Sequence, residues 1–259
     1  MGDMSFRAVE VLSSAALVVA EDTRHSRRLL DHYQIDTRCS PYHEHNEARE
    51  TPRLVKRLRG GDSVALITDA GTPLLSDPGA RLVAAAIESG ICVVPVPGAS
   101  ALLAALVASG AAGEKFTFFG FLPRKGKERL LALTEIMRMP HTAIVYEAPA
   151  RVGATLRELS EAGAATRNAV VARELTKKFE EFARGSVGDL AERFAANPAR
   201  GEVVILISGA ARVEITDEML RDHARNMRAN GMTSRETVDR LIAEHGAARN
   251  LAYRLAHDE

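Results

Sequence analysis

Short apolar runs alternate with segments of helical periodicity through to about residue 210. Runs 16–20, 63–68 and 91–96 read as buried strands, and so do 116–120, 142–146, 168–173, 180–184 and 202–208 beyond a Gly-rich break at 110–113. Helices fit 5–14, 24–33, 51–58, 78–88, 100–108, 127–138, 151–161 and 187–195. This alternation predicts an α/β architecture. Thr51 precedes Pro52 as an N-cap precedes a first-turn proline, Asp77 stands in the same relation to Pro78, and Gly90 and Gly110 stop their helices. From about Ala211 the strand pattern ceases. Three helices follow, 216–229, 234–244 and 247–257, parted by Gly231 and Gly246, with Ser234 as a cap and a spacing like that of a helix-turn-helix. The expected organisation is an N-terminal α/β domain over 1–112, a second α/β domain over 113–210 and a helical module over 211–259.

The most informative loop follows the apolar run ending at Ile67. Asp69, Ala70, Gly71, Thr72, Pro73 and Leu74, and then Ser76, Asp77, Pro78 and Gly79, hold more small and turn-forming residues than a strand-to-helix turn requires. Open α/β sheets bind ligands at the carboxyl ends of parallel strands, and small residues there let a ligand approach the backbone. A second loop, Pro97-Gly98-Ala99-Ser100-Ala101, opens another helix and leaves its N-terminus to a polar ligand. Neither loop fits the G-x-G-x-x-G or Walker pattern, so the common dinucleotide and nucleoside-triphosphate fingerprints are absent.

Composition narrows this reading only a little. The 259 residues are 46% apolar and 26% charged with a net charge of zero, which excludes a generally basic nucleic-acid coat but not a local basic surface. Cys39 and Cys92 lie in no C-x-x-C pattern and read as reduced thiols without zinc. The first residues do not form a signal peptide, and the apolar stretch 99–112 is too short to span a bilayer, so a cytoplasmic protein without membrane contact is expected.

Three basic clusters stand out: Arg24, Arg27 and Arg28 on one helical face; Arg124, Lys125 and Lys127; and Lys177 with Lys178. Each reads alone as a solvated surface run, and together they suit a phosphate track. Tyr146, Glu147 and Arg151 close a strand and read equally as a site or as a capped helix start. Asp22 or Thr23 suits the cap of the helix that Arg24 opens. His43-Glu44-His45 has no further ligand at a recognisable spacing, so no metal is expected.

Taken in order, the motifs Ala20-Glu21-Asp22-Thr23-Arg24-His25, His43-Glu44-His45-Asn46-Glu47, Asp69-Ala70-Gly71-Thr72-Pro73 with Asp77-Pro78-Gly79, Val96-Pro97-Gly98, Gly120-Phe121-Leu122-Pro123, Tyr146-Glu147 with Arg151, and Ala172-Arg173-Glu174-Leu175-Thr176-Lys177 resemble the ribosomal RNA small subunit methyltransferase I family of the tetrapyrrole methylase superfamily. The resemblance spans nearly the whole chain. It implies two α/β domains with S-adenosylmethionine in the cleft between them and a small C-terminal helical module. It also implies a homodimer that methylates the ribose 2′-hydroxyl of a cytidine in the decoding region of 16S rRNA. The cofactor positions it implies are Asp69, Ala70, Gly71, Thr72, Pro73, Leu74, Pro97, Ser100, Ala101, Tyr146 and Glu147. Members of this family open with a strand and loop that precede the residues matched by Gly2-Asp3-Met4-Ser5 here, so unpaired backbone is expected beside the first sheet.

A ribose hydroxyl is a weak nucleophile and benefits from a general base. Asp22 and Glu147 are the expected bases, with Glu21 or Glu174 as substitutes. Arg24, Arg27, Arg124, Lys125, Lys127, Arg151 and Lys177 are the expected contacts to 16S rRNA in the small ribosomal subunit. Two other readings compete: a methylase of the same fold acting on a tetrapyrrole, and a non-catalytic RNA-binding protein of the ribosome.

Overall fold

The computed structural model describes residues 1–111, 113–210 and 216–257. Contacts divide the chain into the units Met1–Ala210 and Ala211–Glu259. In the first unit, β1 (Leu17–Ala20), β2 (Cys39–Pro41) and β3 (Val64–Ile67) form a parallel sheet in the order β2-β1-β3. Strand periodicity sends alternate side chains to opposite faces. Val18 packs with Leu12 of α1 (Phe6–Ser14) and Leu30 of α2 (Thr23–His32). Leu17 and Val19 pack with Leu54 of α3 (Glu47–Arg59) and Leu82 of α4 (Ala80–Glu88). β2 escaped the sequence reading because Cys-Ser-Pro has no apolar run, and it is its main-chain pairing with β1 that makes it a strand.

The expected strand over 91–96 does not form; residues 91–100 are irregular, with Val93 43% and Val94 59% exposed. Pro95 and Pro97 offer no N–H to a ladder. Among the described residues β3 has a strand partner on one side only, and its side chains are just half-buried. Two helix starts also differ from expectation. Thr51 lies inside α3, its hydroxyl 2.9 Å from that of buried Tyr42, while Asn46 sets the turn by accepting from the His43 N–H and donating to the Pro41 carbonyl. α4 begins at Ala80 after Gly79, not at Pro78 after Asp77.

The second sheet runs in the order β4-β5-β8-β6-β7. It comprises β4 (Phe116–Phe121), β5 (Thr142–Glu147), β6 (Asn168–Arg173), β7 (Glu181–Ser186) and β8 (Val203–Ile207), with β4 and β5 parallel and the other pairings antiparallel. α6 (Lys127–Arg138), α7 (Val152–Leu159) and α8 (Val187–Ala196) cover one face through Ile136, Leu156 and Leu190 against Val145, Val171 and Ile205. α5 (Ala101–Ser109) covers the other through Leu102 and Leu106 against Ile144, Val170 and Leu206. Burial on both faces explains the unbroken apolar run of β8.

The second unit packs α9 (Asp217–Ala229), α10 (Ser234–His245) and α11 (Arg249–His257) around Leu220, Ala224, Leu241 and Leu255. Thr233, not Ser234, caps α10. Its hydroxyl accepts from the Glu236 N–H, and the Glu236 carboxylate accepts from the Thr233 N–H in a reciprocal box. No helix among the described residues is long and apolar enough to cross a membrane.

Candidate active site

Ala20 pairs with Ile67, so the residues following β1 and β3 emerge side by side. The Asp22 N–H donates to Asp69 Oδ1 at 3.4 Å. Thr72 Oγ1 donates to the Ala99 carbonyl at 3.0 Å and joins the two glycine–proline loops. Leu74 and Ser76 adopt φ of 73° and 70°, a left-handed backbone that costs a side-chain-bearing residue about 1–3 kcal/mol. Gly79, at φ 133°, closes the first loop where a Cβ would come within 2.5 Å of the Leu66 side chain. At Gly71 and Gly98, by contrast, a Cβ would meet nothing within 4 Å among the described residues. The nucleotide-sized ligand implied by the resemblance fits these open, glycine-lined loops.

Carboxylates concentrate at the same strand ends. Burial raises the pKa of Glu21, the charges of Asp77 and Asp69 raise it further, and His43 opposes them. Burial likewise raises Asp77, with Asp69 and Glu202 adding to the effect and the Thr68 hydroxyl pulling the other way. The raised pKa values of Glu21 and Asp77 suit proton acceptance, and the crowding of carboxylates suits attraction of a cationic ligand.

The end of the second sheet borders these loops. A Cβ on Gly120 would stand 3.0 Å from Ser76 Oγ. Phe118 and Phe121 meet the Tyr146 ring edge-on at 4.8 and 5.6 Å. Burial raises the Tyr146 phenol, a hydrogen bond with the Leu102 backbone lowers it, and Asp77 and Glu202 raise it. Ser100 spends its hydroxyl on its own helix, accepting from the Leu103 N–H at 3.4 Å, so α5 is capped from within. Ala101 packs with the α5 face of the core.

Neither expected base is free. Asp22 caps α2, accepting from the N–H groups of Arg24 and His25, and these bonds hold its pKa low. Glu147 sits on the sheet face opposite Tyr146 and is 2% exposed. Its Oε2 accepts from Thr155 Oγ1 at 2.7 Å, its Oε1 accepts from the Ala148 N–H at 3.0 Å, and Arg151 and Arg129 lie 3.4 and 3.9 Å away. Arg129, itself buried, also binds Glu158, Thr155 and the Pro123 carbonyl. The network accounts for Glu147 as part of the core and for half-buried Arg151 as one of its partners, because a carboxylate buried this deeply requires them. The carboxylates expected as bases are thus engaged, Asp22 at a helix cap and Glu147 in a buried ionic network.

The expected RNA contacts also divide. Arg124, Lys125 and Lys127 are exposed at the start of α6 and make no ion pair among the described residues. Arg24 and Arg27 are exposed but pair with Asp22 and Asp31. Arg151 donates to the Leu122 and Pro123 carbonyls besides pairing with Glu147. Lys177 joins Glu174 at 3.0 Å and Glu202 at 2.9 Å, a bracing role that its neighbours in sequence did not reveal. Glu202 was missed altogether, since it lies far along the chain in an unremarkable turn before β8.

Residues 1–191 match the model of the tetrapyrrole (corrin/porphyrin) methylases. The chain is 43% identical to ribosomal RNA small subunit methyltransferase I of Synechocystis sp. over 99% of its own length and 93% of that protein's. It is 49% identical to the protein of the same name from Mesorhizobium japonicum over 81% of this chain and 72% of that one. Among solved structures it resembles uroporphyrin-III C-methyltransferase from Thermus thermophilus in complex with S-adenyl homocysteine, with a TM-score of 0.58 at 20% identity, covering 80% of this chain and 91% of that one. The chain therefore belongs to the tetrapyrrole methylases and, among them, to the ribosomal RNA small subunit methyltransferase I family.

Proposed function

We propose that this chain transfers a methyl group from S-adenosylmethionine to the ribose 2′-hydroxyl of a cytidine in the decoding region of 16S rRNA. The observation that carries the proposal is the crowding of Glu21, Asp69 and Asp77 beside loops left open at Gly71 and Gly98. Names shared by relatives at 43% and 49% identity support ribosomal RNA as the substrate. The S-adenyl homocysteine bound in the Thermus thermophilus enzyme of the same fold, which is what S-adenosylmethionine becomes on giving up its methyl, supports the cofactor.

When bound, S-adenosylmethionine supplies an electrophilic methyl on a positively charged sulfur. The loop from Asp69 to Leu74, with Pro97, Ser100, Ala101 and Tyr146, holds it, and the carboxylates favour its cationic centre. Glu21 replaces Asp22 and Glu147 as the general base: its pKa is raised, and no hydrogen bond commits its carboxylate among the described residues. It takes the 2′-hydroxyl proton as the oxygen is methylated. Positioning supplies much of the remaining acceleration, about 7–11 kcal/mol for well-oriented partners. Arg124, Lys125 and Lys127, aided by Arg24 and Arg27, grip phosphates around a splayed nucleotide, and the 2′-hydroxyl distinguishes RNA from DNA.

The test is transfer of a tritiated methyl group from S-adenosylmethionine to isolated small ribosomal subunits, run beside uroporphyrinogen III as an alternative acceptor. The proposal expects label in 16S rRNA alone. Label in the tetrapyrrole alone contradicts the substrate assignment. RNA binding without label in either acceptor favours a non-catalytic RNA-binding protein.

A further inference from the structure

The turn between β6 and β7 is built more rigidly than a connection requires. Glu174 and Thr176 adopt φ of 51° and 60°, outside the usual range for residues with side chains. Several contacts hold that strain in place. The Glu174 N–H donates to the Glu202 carbonyl at 3.0 Å, and the Glu202 N–H donates to Glu174 Oε1 at 3.1 Å. Lys177 bridges both carboxylates, and the Thr176 N–H donates to Glu180 Oε2 at 2.6 Å. Gly201 has its missing Cβ where the Glu174 carboxylate lies.

This brace presents a large apolar ring to solvent. Phe179 is 64% exposed, and the Lys178 ammonium stands 5.6 Å from its ring centroid. Lys177 is consumed by the brace, whereas exposed Lys178 has no ion-pair partner among the described residues. The turn also faces the candidate site. Arg173 and Glu147 both pair with Val203, so β6 and β5 finish at the same end of the sheet. Glu202, which anchors the brace, is one of the charges acting on Asp77 and Tyr146.

We propose that Phe179, with Lys178 beside it, is a stacking platform for a nucleobase of the RNA strand entering the site. An aromatic face accepts any base, and a neighbouring ammonium adds attraction to the adjoining phosphate. The brace explains why the ring can stand exposed in a fixed place: a preorganised platform loses little conformational freedom on binding. The inference rests on RNA being the substrate.

The chain contains no tryptophan, so Phe179→Trp introduces a single indole reporter. The probe is a fluorescein-labelled single-stranded RNA of the decoding-region sequence, with binding followed by anisotropy. Saturating RNA should quench the indole emission, and Phe179→Ala should weaken RNA binding roughly 5- to 150-fold, the range for loss of one stacked base. S-adenosylmethionine affinity should be unchanged in both variants. RNA binding without quenching, with Phe179→Ala within twofold of the parent, overturns the platform and leaves the proposed function standing. Quenching without methyl transfer upholds the platform and counts against the proposed function. Absence of RNA binding by the parent overturns both. Loss of thermal stability and cofactor affinity in Phe179→Ala to the same degree as RNA binding also overturns the platform, since the ring would then be supporting the fold.

Discussion

Carboxylates that look alike in the sequence do different work in the folded chain. Asp22 and Glu147 stabilise a helix end and a buried ionic network, and Glu21 is left beside Asp69 and Asp77 with its charge disfavoured. The sequence placed all of them at strand ends but could not say which way a side chain turns. One residue of register moved Glu147 to the face opposite Tyr146. Glu21→Gln should lower kcat by about 10²–10⁴-fold, the usual contribution of a general base, with cofactor affinity little changed. The same substitution should raise the melting temperature at pH 7. A carboxyl whose folded-state pKa is raised contributes stability that is full below its unfolded pKa and is lost as pH rises through the folded one. The gain over the parent should therefore vanish near pH 4 or below, about where an unperturbed glutamate protonates. Thermal melts across pH check both signs; a Glu21→Gln protein that is fully active, or less stable at pH 7, contradicts the assignment. Arg129→Ala, in contrast, should destabilise the protein by about 3–5 kcal/mol in urea titrations, because it removes a partner from the buried Glu147 network.

Elements defined by their own residues were legible, and those defined by neighbours were not. The helix expected over 127–138 and the strand expected over 168–173 coincide with α6 and β6, where periodicity and burial agree. The run 91–96 has a strand's composition but lacks a donor at Pro95 and, among the described residues, a neighbouring ladder. β2 shows the converse: a poor strand by composition, made by its pairing with β1. The glycine–proline loops were legible as loops between a strand and a helix from composition, yet the strain at Leu74 and Ser76 was not. Gly79→Ala should cost about 1–3 kcal/mol and weaken cofactor binding, since Gly79 has φ 133° and a Cβ there strikes Leu66. Calorimetric titration with S-adenosylmethionine checks it, and unaltered affinity would mean that the loop does not hold the cofactor. At α10, Thr233→Ala should cost about 1 kcal/mol and Ser234→Ala less than about 0.5 kcal/mol, which distinguishes the observed cap from the expected one.

For the whole molecule, net neutrality concealed a division of labour among its cations. Lys177 and Arg151 support the fold, and Arg124, Lys125 and Lys127, at the start of α6, make no ion pair among the described residues. Leu103 and Val107, one turn apart on α5, are 50% and 75% exposed. The homodimer implied by the family resemblance would cover such a face, and sedimentation equilibrium should then return twice the mass of one chain; a monomer at micromolar concentration contradicts it. The central claim is chemical. It is tested most directly by incubating small ribosomal subunits with S-adenosylmethionine and the chain, digesting the 16S rRNA to nucleosides and analysing them by mass spectrometry. The account predicts one new 2′-O-methylcytidine per subunit with the parent, and formation slower by about 10²-fold or more with Glu21→Gln. Methylation on a base carbon or nitrogen, or none at all in subunits that bind the chain, would contradict it.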